Sequence, residues 1–177
     1  MLKKDDLDDG AIYLRCLVPE EIGQTYLQWI RDKDINQFLE VRHNLPSTVS
    51  ELQQFVASIN DSSDSIMFGI FVGDHKHIGN IKLGPVDSIN MRAEIGVLLG
   101  DKSEWGKGYA TRAIQLVSKY AFECLGLVRL TAGMHEPNQG SFRVFIKAGF
   151  VHEGTSKSYW QAESGRLNQL WLGLTNE

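Results

Sequence analysis

The sequence predicts a mixed α/β domain, a single unit whose elements run in the order β-α-α-β-β-β-α-β-α-β-β. Stretches in which apolar residues alternate give way repeatedly to stretches in which they recur at helical spacing. Two β-rich runs are joined only by Asp74, His75 and Lys76, which reads as a hairpin. A glycine-rich turn around Gly106 and Gly108 separates a pronounced strand pattern from a pronounced helix pattern.

Residues 11–17 read as the first strand. Pro19 stands where a helix can begin, because the amide hydrogen it lacks would have had no partner there. Ile22, Tyr26, Trp29 and Ile30 then follow at helical spacing. Residues 40–47 show no period and read as a loop. Thr48 and Glu51 have the spacing of a capping box, and Leu52, Phe55, Val56 and Ile59 give the helix behind them an apolar face. The hairpin occupies residues 66–73 and 77–83, and residues 92–99 form a further strand. From Gly108 the period is helical, with Ala110, Ala113, Ile114, Val117, Ala121 and Leu125 on one side and Gly126 suited to the C-terminus. Residues 128–134 read as a strand, 139–147 as a short helix, and 151–161 with 166–174 as a closing strand pair.

Composition narrows the function classes. At 177 residues the chain is long enough to bury a real core as one domain. Apolar and charged fractions of 42% and 23% are globular values, which sets aside disordered, collagen-like and coiled-coil proteins. A formal charge of −4 argues against nucleic acid as a partner, and no apolar run approaches the length that crosses a bilayer. The acidic residues 1–10 read as an N-terminal extension without the apolar stretch of a secretory signal, and 11–177 as the domain. Cys16 and Cys124 lie in no metal or redox spacing and read as small buried thiols, which suits a cytoplasmic protein.

The most informative segment is Trp105-Gly106-Lys107-Gly108-Tyr109-Ala110-Thr111. It lies between strand and helix, where free backbone amides meet the positive end of the helix dipole and make a ready anion site. Glycines there let the backbone approach a phosphate without Cβ interference. A tight glycine turn without a ligand is the plainer alternative. The P-loop pattern fails, because five residues separate Gly100 from Gly106 and Gly108 stands where a hydroxyl is needed. The dinucleotide fingerprint fails at its third glycine, where Thr111 stands.

The strand from Ala93 to Leu99 followed by this loop resembles the acetyl-CoA-binding core of the GNAT acetyltransferase superfamily, whose loop is written Q/R-x-x-G-x-G/A. Trp105 replaces the leading Gln or Arg, while Gly108 and Ala110 match. Asn138, Gln139, Gly140 and Ser141, and later Lys147, Ala148, Gly149 and Phe150, are similar to the branch of ribosomal-protein N-terminal and bacterial amino-sugar acetyltransferases. The resemblance runs from about Ile12 to Leu174. It implies a mostly antiparallel central sheet flanked by helices, acetyl-CoA as co-substrate and no metal. The implied reaction is direct attack by a primary amine, of a protein N-terminus or an amino sugar, in a ternary complex. A non-catalytic coenzyme A-binding module is the alternative, motivated by Phe145 and by Ser158, Tyr159 and Trp160 standing where some of the branch carry a catalytic glutamate.

Residue by residue, the resemblance implies that amides of Gly106, Lys107, Gly108, Tyr109, Ala110 and Thr111 hold the pyrophosphate, with Trp105 beside them. Backbone of Val97, Leu98 and Leu99 pairs with pantetheine, and Asn138 contacts it while also suiting a helix N-cap. Lys102, Lys107 and Arg112 either neutralise phosphates or form a solvated face. Phe145, also assigned to the coenzyme site, occupies the place where many relatives carry a tyrosine acid and has no proton to give. Ser141 is the implied acid. Glu94 is the implied base, with His135 and His43 as further candidates, because an amine with a pKa of ~10.4, or ~7.7–8.0 for an α-amino group, must lose a proton before attack. Glu40, His43 and Tyr159 are assigned to the acceptor, with Arg42 and Trp160 in the same segments. The acceptor is a small-molecule or peptide amine, and a homodimer is compatible with the exposed aromatics.

Overall fold

The computed structural model describes residues 6–162 and 165–176. Residues 1–5 of the expected N-terminal extension lie outside the described residues. Residues 7–8 form a short strand, Leu7–Asp8 (β1), beside Tyr13–Cys16 (β2).

Pro19 opens a 3-10 turn, Pro19–Glu21, rather than the helix itself. The chain extends again at Ile22, which is buried, and the helix Gln24–Arg31 (α1) begins after Gly23. Asp32 then accepts from the Asp34 amide at 2.9 Å and starts a one-turn helix, Lys33–Asn36 (α2), too short to leave a periodic trace in the sequence. The expected loop contains a 3-10 turn, Glu40–His43. Thr48 caps the helix Val49–Asp61 (α3) through the Glu51 amide, while the Glu51 carboxylate returns to the Ser47 amide at 2.8 Å. Such a cap is worth about 1 kcal/mol.

Ile66–Val72 (β3) and Lys76–Asp87 (β4) form the hairpin, followed by Arg92–Leu99 (β5), Tyr109–Glu123 (α4), Arg129–His135 (β6), Gln139–Lys147 (α5), Val151–Ala162 (β7) and Gly165–Thr175 (β8). The eight strands make one sheet in the order β1-β2-β3-β4-β5-β6-β8-β7, antiparallel except between β5 and β6. The mixed, mostly antiparallel sheet flanked by helices is thus the one expected.

Alternation along the strands gives the sheet two apolar faces. Ala93 and Ile95 of β5 turn toward Ala113, Ile114 and Val117 of α4, in a cluster that includes Phe145 and Phe150. Leu17, Met67 and Phe71 face the other way, onto Tyr26, Trp29, Leu52 and Val56 of α1 and α3. Burying each large side chain contributes roughly 1.5–3 kcal/mol, so both faces are committed to their helices. The cysteines differ from expectation. Cys16 is only partly buried and Cys124 is exposed, because it lies just past the last turn of α4. Among the described residues no helix is long and apolar enough to cross a membrane.

Candidate active site

The site begins at a defect in the sheet. β5 and β6 pair in parallel only through Arg92 with Arg129, Ala93 with Leu130 and Glu94 with Thr131. Beyond Glu94, β5 stays with β4 as far as the pairing of Leu99 with Gly79, and β6 stays with β8. A wedge opens between them. Gly100 ends β5 in contact with Trp29, so closely that a Cβ there would lie 2.0 Å from the indole.

Two cavities meet at this wedge. One, of about 640 Å³, runs toward the starts of α4 and α5; the other, of about 720 Å³, opens toward α1 and α3. Both are lined by Phe38, Leu39, Val97, Leu98, Asn138 and Ser141. A molecule in either cavity reaches the same point of β5.

The first cavity includes the glycine turn in its wall. Gly106 and Gly108 have φ of 78° and 86°, a region that disfavours side chains, and a Cβ at either would meet nothing within 4 Å. Among the described residues, no amide of residues 106–111 donates to another group of the protein. Six amides at the positive end of α4 therefore stand free, next to Trp105, Gly106, Gly108, Tyr109, Ala110 and Thr111 of the lining. Trp105 is 45% exposed, and its indole N–H donates to the Leu99 carbonyl at 2.8 Å, fixing the loop to the end of β5. Lys107 does not line this cavity.

Charge around the loop is mostly spent locally. Lys107 lies 2.7 Å from Glu104, Lys102 lies 2.7 Å from both Asp32 and Asp34, and Arg112 lies 2.8 Å from Asp9. Lys107 and then Lys76 hold the Glu104 carboxyl below its ordinary range, and Lys76 with Ser103 holds Asp101 at about 2. The cations that line the cavity are Arg143 and Lys147, on the α5 face that also presents Gln139, Gly140 and Val144. Sequence reasoning missed them, although their spacing of four residues after Gly140 was a readable signal. Asn138 caps α5, its Oδ1 accepting from the Ser141 amide at 3.1 Å, and this places Ser141 in the first turn at the wedge.

The second cavity is walled by side chains. Tyr26, Phe38, Leu52, Met67, Phe145 and Trp160 supply its apolar surface. Phe145 is buried against Phe150, at 5.0 Å between ring centres, and faces this cavity rather than the loop. Glu40, Glu51, Lys82 and His135 supply titratable groups. Burial pushes the Tyr26 hydroxyl up to about 12. His135 ends β6 with its imidazole between Phe38 and Trp160, at ring separations of 5.9 and 4.9 Å.

Glu94, His43 and Tyr159 join Lys107 outside both linings. Glu94 is exposed on the face of β5 that carries Gly96, but it belongs to the last β5–β6 pair, below the opening of the wedge. His43 is exposed at the end of its 3-10 turn. Tyr159 is displaced by a bulge. Ser156 pairs with Gln169 and Trp160 with Leu167, so residues 157–159 are extruded, with Ser158 at φ 51°. Trp160 is turned inward, where its indole N–H donates to Gln169, and Tyr159 is left 49% exposed.

Two cavities that share one strand edge, one beside unpartnered amides and the other among side chains, have the form of an enzyme that passes a group between two substrates. Comparison with known proteins gives its kind. The family model described as "Acetyltransferase (GNAT) domain" matches residues 11–151, and the chain belongs to the GNAT acetyltransferase family. It is 37% identical over 171 residues to "Probable N-acetyltransferase YjcK" of Bacillus subtilis (strain 168), covering 93% of this chain and 91% of that one. It is 31% identical over 157 residues to "Uncharacterized N-acetyltransferase p20" of Bacillus licheniformis, covering 86% and 85%. Among solved structures, spermidine N-acetyltransferase from Vibrio cholerae in complex with CoA and spermine superposes with a TM-score of 0.82 at 18% identity, covering 94% of this chain and 96% of that one. The protein is an N-acetyltransferase.

Proposed function

We propose that the protein transfers the acetyl group of acetyl-CoA to a primary amine by direct attack while both are bound. The free, glycine-cleared amides of residues 106–111, opening onto a cavity that meets a second one at Val97 and Leu98, carry this reading. The amides of Gly106, Gly108, Tyr109, Ala110 and Thr111 receive the pyrophosphate, helped by the dipole of α4. Arg143 and Lys147 add positive charge from the facing helix. The unpaired edge of β5 at Val97, Leu98 and Leu99 supports the pantetheine arm, and Trp105 steadies it through the Leu99 carbonyl. An amide of this edge directed at the thioester oxygen lowers the barrier by about 2.7–4 kcal/mol. Bound there, acetyl-CoA supplies an activated acyl group.

Ser141, in both linings, stands ready to give a proton to the departing thiolate. With a thiol pKa of roughly 8.5 the thiolate needs little help, so this contribution is small. Glu94 acts only through water, from the root of the wedge. Glu40 attracts the acceptor ammonium, and the apolar walls around Trp160 cover its body; His43 and Tyr159 contact only parts of an acceptor that project from the cavity. Such a chamber fits a small or peptide amine. The spermine bound in the solved Vibrio cholerae enzyme is an amine of the same chemical class. Among the described residues Cys16 and Cys124 form no disulfide, which suits a reducing cytoplasm.

The test is free-thiol release from acetyl-CoA with amino sugars, polyamines and short peptides, and mass spectrometry of the amine products. Thiol release with an acetylated amine is expected, and no acetylated enzyme when the amine is withheld. Tight acetyl-CoA binding without turnover on any amine would refute the reading.

A further inference from the structure

We propose that His135 takes the proton from the acceptor ammonium, with Glu40 holding that ammonium beside the imidazole. The inference rests on the transferase reading above. His135 is 3% exposed, ends the strand whose parting from β5 makes the wedge, and lines the acceptor cavity together with Ser141. Its ring is clamped between Phe38 and Trp160, so its direction is fixed by packing. Nδ1 is buried without a hydrogen-bond partner among the described residues. Nε2 lies 3.6 Å from Glu40 Oε1, too far for a good hydrogen bond. An ammonium nitrogen set at ~2.8 Å from both would donate to each at once. The ammonium would sit beside this pair rather than between its atoms, and the same Oε1 also accepts from Arg42 Nη1 at 3.1 Å.

The surroundings keep the imidazole in the form that accepts a proton. Burial first, and then the Arg42 guanidinium, hold His135 below its ordinary range, with His43 adding to this and Glu40 opposing it. Those three groups come from the 3-10 turn over the ring. Lys82, Tyr26 and Glu51 face the same cavity from β4, α1 and α3. The other elements against the ring contribute uncharged side chains: Phe38, Trp160 of β7 and Gln169, the β8 partner in register. A neutral imidazole lining this cavity is a competent base near neutral pH.

The protons balance. The ammonium gives one proton to Nε2, and the resulting lone pair attacks the thioester carbonyl, forming C–N. As C–S breaks, sulfur keeps the electron pair. The second nitrogen proton ends on that sulfur, through Ser141 or water, giving amide and free thiol. His135 returns its proton to solvent.

The experiment first fixes coenzyme binding by calorimetry, because His135 does not line the donor cavity and its variants should bind acetyl-CoA as wild type does. Thiol release is then measured with 2-phenylethylamine, spermidine and alanine amide, and the fastest is followed from about pH 5.5 to about pH 10. His135→Gln and His135→Asn should each lose roughly 100-fold or more in kcat near pH 7, with the deficit shrinking as the amine's own pKa is approached. Glu94→Gln, which removes the water-linked carboxylate, should lose less than either His135 variant, and evenly across the range. A loss for the His135 variants that is constant with pH overturns the proposal as a packing effect. So does a pH-dependent loss in Glu94→Gln with none in the His135 variants. Wild-type binding without thiol release from these amines or from the amino sugars, polyamines and peptides above overturns the transferase reading itself, and this inference with it.

Discussion

The donor and acceptor halves of the cleft are made of different materials. Toward α4 the distinctive groups are main chain: unpartnered amides at the start of α4, two glycines in left-handed geometry and a strand edge freed from its neighbour. Toward α1 and α3 it is side chain: Tyr26, Phe38, Leu52, Phe145 and Trp160 around a small polar set. Main-chain groups are the same whatever residue carries them, so the first half suits a constant ligand and tolerates few backbone changes. Side chains can be exchanged without moving the backbone, so the second half can vary its ligand. That division teaches where a substitution will abolish function and where it will retune it.

The largest effect should come from disturbing the main chain. Gly108→Val places a β-branched residue at φ 86° and a Cβ in the open space above the amides. It should abolish measurable acetyl-CoA binding by calorimetry, weakening it by roughly 100-fold or more, at a stability cost of about 1–2 kcal/mol in chemical denaturation. Retained affinity would erase the contrast between the halves.

A smaller, one-sided effect is expected at Trp160. Trp160→Ala should raise the acceptor KM about tenfold, the scale of one aromatic wall, without changing acetyl-CoA affinity. Tyr159→Ala, one residue away but outside the chamber, should leave both within about twofold. Smaller again, Arg143→Ala combined with Lys147→Ala should weaken acetyl-CoA binding about fivefold at low salt, with the difference fading as salt screens these exposed charges.

The least change should follow from the scaffold below the loop. Asp101 is held at about 2 by Lys76, against an ordinary value of 3.8. Its folded pKa is depressed, so the stability it contributes is present above about pH 4 and lost as pH falls toward about 2. Asp101→Asn should therefore lower Tm by a few degrees at neutral pH, and the gap to wild type should close over that acid window. A gap that stays constant would remove the Lys76 pairing as its cause.

The two halves were also unequally legible in the chain. Gly106, Gly108 and Ala110 lie close in sequence, between a strand and a helix with clear periods, so their joint role follows from local pattern. β5 and α5 have the bounds read from the sequence, because buried and exposed residues alternate along β5 and Asn138 caps the start of α5. The acceptor side depends on contacts between distant segments. Trp160 faces in and Tyr159 out because residues 157–159 are extruded against β8, a register event that leaves no local mark. The proximity of Glu40 to His135 joins residues far apart in sequence. Likewise the sequence leaves Lys102, Lys107 and Arg112 open to phosphate or to a solvated face, and only the fold supplies Asp32, Asp34, Glu104 and Asp9 to pair with them.

The placing of the tryptophans turns this architecture into an instrument. Trp105 sits in the donor lining and Trp160 in the acceptor lining, while Trp29 is packed in the core. A chain that retains Trp105 as its sole indole would signal coenzyme docking by its emission, and one that retains Trp160 would signal the amine. The order in which the two substrates arrive can then be followed optically, without labels and without turnover.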